Sequence, residues 1–173
     1  MRTLIVVFTL VLAATSIGFA QKKTFATSDS IVVKGNIKTP LVITPASLSA
    51  YKKVTLGNVV IKNHEGKPKD TLMNVQGVLL KDLLTKVELD ESNFKKFSEF
   101  CIVVKCTDDY TVVYSWNELF NSPTGNATYI ITDKDGQKLS QMKDKIAIIT
   151  PSDYNTGRRF TKSVASIEIK RIQ

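Results

Sequence analysis

The sequence predicts a mixed α+β domain, mostly β with short helices, and three observations predict it. Apolar, β-branched runs recur along the chain. The helical stretches between them are short. Strands and helices do not alternate in the regular order of a parallel βαβ fold. No internal repeat, low-complexity tract or linker divides the chain, so its 173 residues imply one domain around one core.

Residues 1–20 read as a cleaved export signal. Arg2 leads an uncharged apolar run from Leu4 to Ala14, and Gly18-Phe19-Ala20 places small residues at the −3 and −1 positions. The expected location is periplasmic or secreted, with no membrane span after cleavage. Residues 21–30 are polar and aperiodic, a flexible lead-in, and the domain is expected over 31–173.

Within it, "IVVKGNI" from Ile31 reads as a strand. "TPASLSAY" reads as a short helix with Thr44 as N-cap and Pro45 in the first turn. "KKVTLGNVVIKN" is a second strand with Gly57 as a bulge, and "HEGKPKD" turns it into "TLMNVQ", which Gly77 is expected to end. In "VLLKDLLTKV", Leu79, Leu80, Leu83, Leu84 and Val87 form a helical apolar stripe, while Lys81, Asp82 and Lys86 face water. "DESNFKKFSEF" is a helical turn or a loop. Two β-rich runs then flank a turn at Asp108-Asp109, and Ser115 to Glu118 has the form of a capping box. "TYIITDKDGQKL" turns at Asp135-Gly136, and "KIAIIT" and "VASIEIKRI" are the closing strands.

Charge and chemistry narrow the function. The chain has 24 Lys and Arg against 16 Asp and Glu, a net charge of +8, and loss of residues 1–20 removes only one of those cations, Arg2. That balance favours anionic partners, and export argues against nucleic acid. Cys101 and Cys106 are the only cysteines. An oxidising compartment suggests a disulfide, but five strand steps of about 3.3 Å would separate the two by roughly 16 Å, on opposite faces. A bridge needs Cα atoms within about 7 Å, so two small buried side chains are the favoured reading over a disulfide or a metal pair. His64 is the only histidine and lies in a Lys-rich turn; a zinc site there would need Glu65 and Asp70 or a distant Cys, and a solvated ring is the simpler reading. No nucleophile-elbow, zinc-protease, phosphate-loop or dinucleotide motif is present.

The segment "PSDYNTGRRFTKSV" differs, because several anion-binding groups converge in it. Gly157 permits backbone conformations that turn N–H groups toward a ligand. Arg159 can grip an oxyanion with its fork, Lys162 adds a point charge, and Arg158 is a helper beside them. A solvated rim on a last strand has the same composition. Tyr110, Tyr114, Trp116 and Tyr154 offer flat faces for a planar ring, although residues in alternating strands also serve as core.

From Ile31 onward, the order of segments resembles the molybdopterin-binding domain of the sulfite oxidase family. "VKGNIKTPLVITPASLSAY" resembles that domain's opening strand and the L-T-x-x-D-L that follows it. "NVQGVLLKDLLTKV" resembles W-x-G-V-x-L-x-D-L-L, and "YIITDKDGQKL" resembles the L-A-x-x-x-N-G-x-P-L hairpin. In the closing segment Pro151, Gly157, Arg159, Lys162 and Ile167 fall in place. The resemblance implies the mixed fold and a role for Gly157, Arg159 and Lys162 in holding a pterin and its phosphate. It also implies a metal-ligating Cys in a C-x-G-N segment, yet the corresponding stretch here, "VVIKNHEGKPKD", has none, and neither Cys101 nor Cys106 matches that position. The expectation is an exported relative that binds an anionic ligand or a protein partner without redox catalysis. The alternative is a molybdenum-cofactor oxidoreductase that passes electrons to a separate redox protein.

Overall fold

The computed structural model describes residues 26–172. The expected export signal, and the first half of the lead-in, lie outside the described residues. Residues 26–30 have no regular structure, although Asp29 pairs with Lys145 at 3.1 Å.

Two sheets make up the domain. The first has the order β2 (Leu41–Ile43), β1 (Ile31–Gly35), β10 (Val164–Arg171), β5 (Phe100–Cys106), β6 (Thr111–Ser115). Its β1 and β10 run parallel, with Val33 opposite Ile167, so the first and last strands of the domain lock together; its other pairs are antiparallel. The second is antiparallel: β3 (Val54–Lys62) pairs β4 (Pro68–Leu79), which pairs β7 (Tyr129–Lys134), and β7 also carries the short β8 (Gln137–Lys138) and β9 (Ile148–Ile149). One continuous core draws on both, with Ile31, Val104 and Ile169 from the first sheet and Val75, Val78 and Ile130 from the second all inaccessible to solvent. Burying each such side chain stabilises the fold by about 1.5–3 kcal/mol.

Local signals account for the caps and turns. Helix α1 (Pro45–Leu48) begins on Thr44, whose hydroxyl accepts the Ser47 N–H, and α3 (Trp116–Phe120) begins on a Ser115–Glu118 capping box. Asp135 and Gly136 both have positive φ, 54° and 74°, as a type I′ hairpin requires. The register of β3 against β4 shifts at Gly57, the expected bulge. Cys101 and Cys106 are buried, unbridged thiols on β5.

Two expectations need correction. Gly77 does not end its strand, because β4 continues to Leu79 by pairing Gly77, Val78 and Leu79 with Ile131, Ile130 and Tyr129. Helix α2 therefore covers only Leu80–Leu84, although Leu80, Leu83 and Leu84 are its buried face as the stripe predicts. A short apolar run has the same composition in a strand as in a helix, and here the partner β7 decides for the strand. "KIAIIT" likewise contributes only the two residues of β9. The expected α+β class, mostly β, is the class observed.

Candidate functional site

The closing loop reaches its place by docking on β3. Residues Thr156–Arg158 form one 3-10 turn, and the buried Thr156 hydroxyl joins the two segments: its Oγ1 accepts the Lys62 N–H at 2.8 Å and donates to the Val60 carbonyl at 2.7 Å. Gly157 makes that approach possible. A Cβ there would lie 2.5 Å from the Lys62 carbonyl oxygen, below any normal contact. Its φ is not in the left-handed region, so Gly157 is required for closeness and not for the backbone freedom the sequence suggested. Tyr110 and Asn155 complete the docking, with the Tyr110 hydroxyl donating to the Arg158 carbonyl at 2.6 Å and Asn155 Nδ2 to the His64 carbonyl at 3.3 Å.

Docking opens a groove of about 570 Å³ between the β3–β4 hairpin and the loop. Lys62, Lys69, Arg158 and Lys162 line it, with Asp70 the one carboxylate, and the Tyr110 and Phe160 rings form an apolar part of its wall. Among the described residues, Lys62, Lys69 and Arg158 have no carboxylate partner. Lys162 is half committed: its Nζ lies 3.2 Å from Asp144, which also accepts from Lys134 at 2.9 Å. Burial works to raise the Asp144 carboxyl, but the Lys134 hydrogen bond and the Lys162 charge outweigh it and hold the group below its ordinary value. The His64 side chain, 69% exposed, also lines the groove.

Arg159 sits elsewhere. Its fork closes on Asp153, Nε to Oδ2 at 2.8 Å and Nη2 to Oδ1 at 2.5 Å, while Nη1 donates to Glu118 Oε1. The guanidinium carbon lies 4.6 Å from the centre of the Tyr114 ring. These carboxylate bonds, led by those from Asp153 and opposed by burial, push the Arg159 pKa further up. Glu118 is also the carboxylate of the α3 capping box, so Arg159 ties the closing loop to the start of that helix. Beneath the clasp, the Tyr114 hydroxyl meets Thr150 Oγ1 at 3.0 Å, which meets Thr128 Oγ1 at 3.1 Å, and burial raises the Tyr114 pKa to about 12.

The structure thus brings Gly157, Arg158 and Lys162 to one groove and sets Arg159 beside it, in an internal ion cluster. Of the aromatic candidates, Tyr110 lines the groove, Tyr114 is core, Trp116 packs on Phe97 and Phe120, and Tyr154 is 94% exposed. Lys62, Lys69 and Phe160 are groove residues that sequence reasoning did not single out, and His64, weighed there only as a solvated ring or a zinc ligand, joins them. The trace of Lys62, His64 and Lys69 in the sequence is the Lys-rich turn "KNHEGKPKD", which reads locally as a solvated hairpin end, while Phe160 lies in the closing segment itself.

That turn belongs to the stretch which the resemblance aligns with a thiolate-bearing segment, and it forms a wall of the groove. The donors it supplies are His64 and Asp70, with Lys62 and Lys69 beside them. Neither thiol on β5 is part of the groove lining, and burial pushes Cys106 up to about 11, which suppresses the thiolate a soft metal ligand must be. No group of three or more His, Cys, Asp and Glu among the described residues could hold a metal ion. The residues present therefore do not fit a thiolate-ligated molybdenum centre, whereas the cations suit an oxyanion.

The two sheets and short helices place the chain in the class of mixed α+β, mostly β domains. Among solved structures it is similar to the sulfane dehydrogenase SoxCD from Paracoccus pantotrophus, with a TM-score of 0.59 at 12% identity. The match covers 81% of this chain and 37% of that one, so the chain spans little more than a third of the neighbour's length, and the likeness is one of fold. No family model and no curated protein matches the chain. Among the described residues no helix is long and apolar enough to cross a membrane.

Proposed function

We propose that this chain is an exported binding module on a sulfite-oxidase-like fold, which holds an anionic ligand in the groove between the β3–β4 hairpin and the closing loop and carries out no redox chemistry of its own. The observation that carries the reading is the groove's charge: four cations line it against Asp70, and three of them lack a carboxylate partner among the described residues. Like charges gathered this way repel one another, and an oxyanion relieves that repulsion while accepting their hydrogen bonds. Gly157, Arg158 and Lys162 keep their assignment to the site, now with Lys62 and Lys69. Arg159 supports the loop that presents them.

The alternative is a molybdenum-cofactor oxidoreductase that hands electrons to a separate redox protein. It is favoured by the named activity of the fold neighbour and disfavoured by the donor set of the groove. Two measurements test the reading. Thermal melts with phosphate, sulfate and citrate should rise in the wild type and stay flat in a Lys62→Ala/Lys69→Ala variant. Elemental and pterin analysis of protein purified from its native host should find substoichiometric molybdenum and no pterin; one molybdenum per chain would establish the alternative instead. Mass spectrometry of that same material, beginning near Gln21, would support export.

A further inference from the structure

We infer that the ligand of this groove carries two or more linked phosphate-type oxyanions. The inference rests on the anion-binding reading above and narrows it to a ligand class. Three features of the groove favour linked charges over a single one.

The cations come from different segments. Lys62 ends β3, Lys69 lies where the β3–β4 register slips between Ile61 and Lys62, and Arg158 and Lys162 flank Phe160 on the closing loop. They line opposing walls of a groove of about 570 Å³, a volume typical of small-molecule sites and several times that of one phosphate.

The charge within the groove is also unbalanced by more than one unit. Asp70 is the only carboxylate in the lining among the described residues, and its Oδ1 already accepts the Thr71 N–H. Lys162 is offset by Asp144, which it shares with Lys134. Lys62, Lys69 and Arg158 remain, against one carboxylate: a surplus of two charges spread over three side chains from two segments, which linked oxyanions can meet one to each.

Finally, the scaffold fixes the backbone from which Lys62 and Arg158 project. The Arg158 carbonyl accepts from Tyr110, the Arg158 N–H donates to the Asn155 carbonyl at 2.9 Å, and the Lys62 N–H is fixed by Thr156. An Arg fork on the closing loop and two lysines on the hairpin match a short chain of phosphates, which presents one oxyanion to each.

Isothermal titration of the full mature chain with inorganic phosphate, pyrophosphate and tripolyphosphate at low ionic strength tests the inference. Affinity should rise by about tenfold or more from phosphate to tripolyphosphate, and fall steeply as salt is added. Lys62→Ala, Lys69→Ala and Arg158→Ala should each weaken tripolyphosphate by roughly tenfold, while Lys52→Ala, outside the groove, should leave it unchanged. Circular dichroism of each variant confirms that the fold is intact. Equal affinity for phosphate and tripolyphosphate would overturn the inference and leave the anion-binding reading standing; binding of none of the three, with no melt response to any anion, would remove both. Co-sedimentation with phosphatidylcholine vesicles containing phosphatidylinositol bisphosphate separates two sources of this chemistry. Sedimentation reversed by tripolyphosphate supports the inference with a lipid headgroup as source, and tripolyphosphate binding without sedimentation supports it with a soluble ligand.

Discussion

Replacing Arg159 with Ala separates a structural clasp from a ligand contact. The Arg159 side chain is 20% exposed, and its two partners, Asp153 and Glu118, are 16% and 31% exposed. Breaking a fully buried ion pair costs about 3–5 kcal/mol, and an exposed pair is worth about 0–1. This cluster lies near the buried limit, but Glu118 retains access to water, so the expected loss is about 3 kcal/mol. For a domain of this size that lowers the melting temperature by roughly 6–12 °C. Arg159→Lys keeps the charge but cannot close the fork on Asp153, and should recover about half of the loss. The assays are urea unfolding, with the slope unchanged, and anion titration at a temperature where the variant is folded. Wild-type stability in Arg159→Ala combined with a tenfold loss of anion affinity would refute the reasoning, because the guanidinium would then face the ligand and not the protein.

Three further outcomes are expected. Gly157→Ala should destabilise the domain by about 1–3 kcal/mol, since its Cβ would press on the Lys62 carbonyl, and amide exchange should show the loop lifting from β3 first. Asp144→Asn should cost about 1–2 kcal/mol at neutral pH by stranding Lys134, whose side chain is 10% exposed. The Asp144 pKa is depressed on folding, so that difference is fully present above about pH 4 and shrinks as pH falls through the folded value; denaturant melts across acid pH would show it, and a pH-independent difference would contradict it. Native protein treated with iodoacetamide at pH 8 should remain unmodified at Cys101 and Cys106, with both alkylated in denaturant, as intact mass would report.

Much of the fold was legible because its causes are local. The Thr44 and Ser115 caps, the Asp135-Gly136 hairpin and the Gly57 bulge each depend on residues within a few positions of one another, and each is where the sequence placed it. The helix over Leu79–Val87 was read too long, because whether Val78 and Leu79 continue a strand depends on Tyr129 and Ile130, some fifty residues away. The site shows the same division. Sequence marked the cationic closing loop and the missing thiolate, both visible in residue types alone.

By itself, then, the sequence determined the class of fold, its caps and turns, and the basic character of the closing loop, since propensity, periodicity and charge act over a turn or two of chain. Only the tertiary structure decided which cations are free. Arg159 and Arg158 are adjacent and chemically identical, yet one is neutralised by Asp153 and Glu118 while the other lines a groove with Lys62 and Lys69. Partners far apart in the chain, such as Thr156 and Val60, 96 positions apart, leave no local signature; packing alone brings them together and so sets the surroundings of each guanidinium.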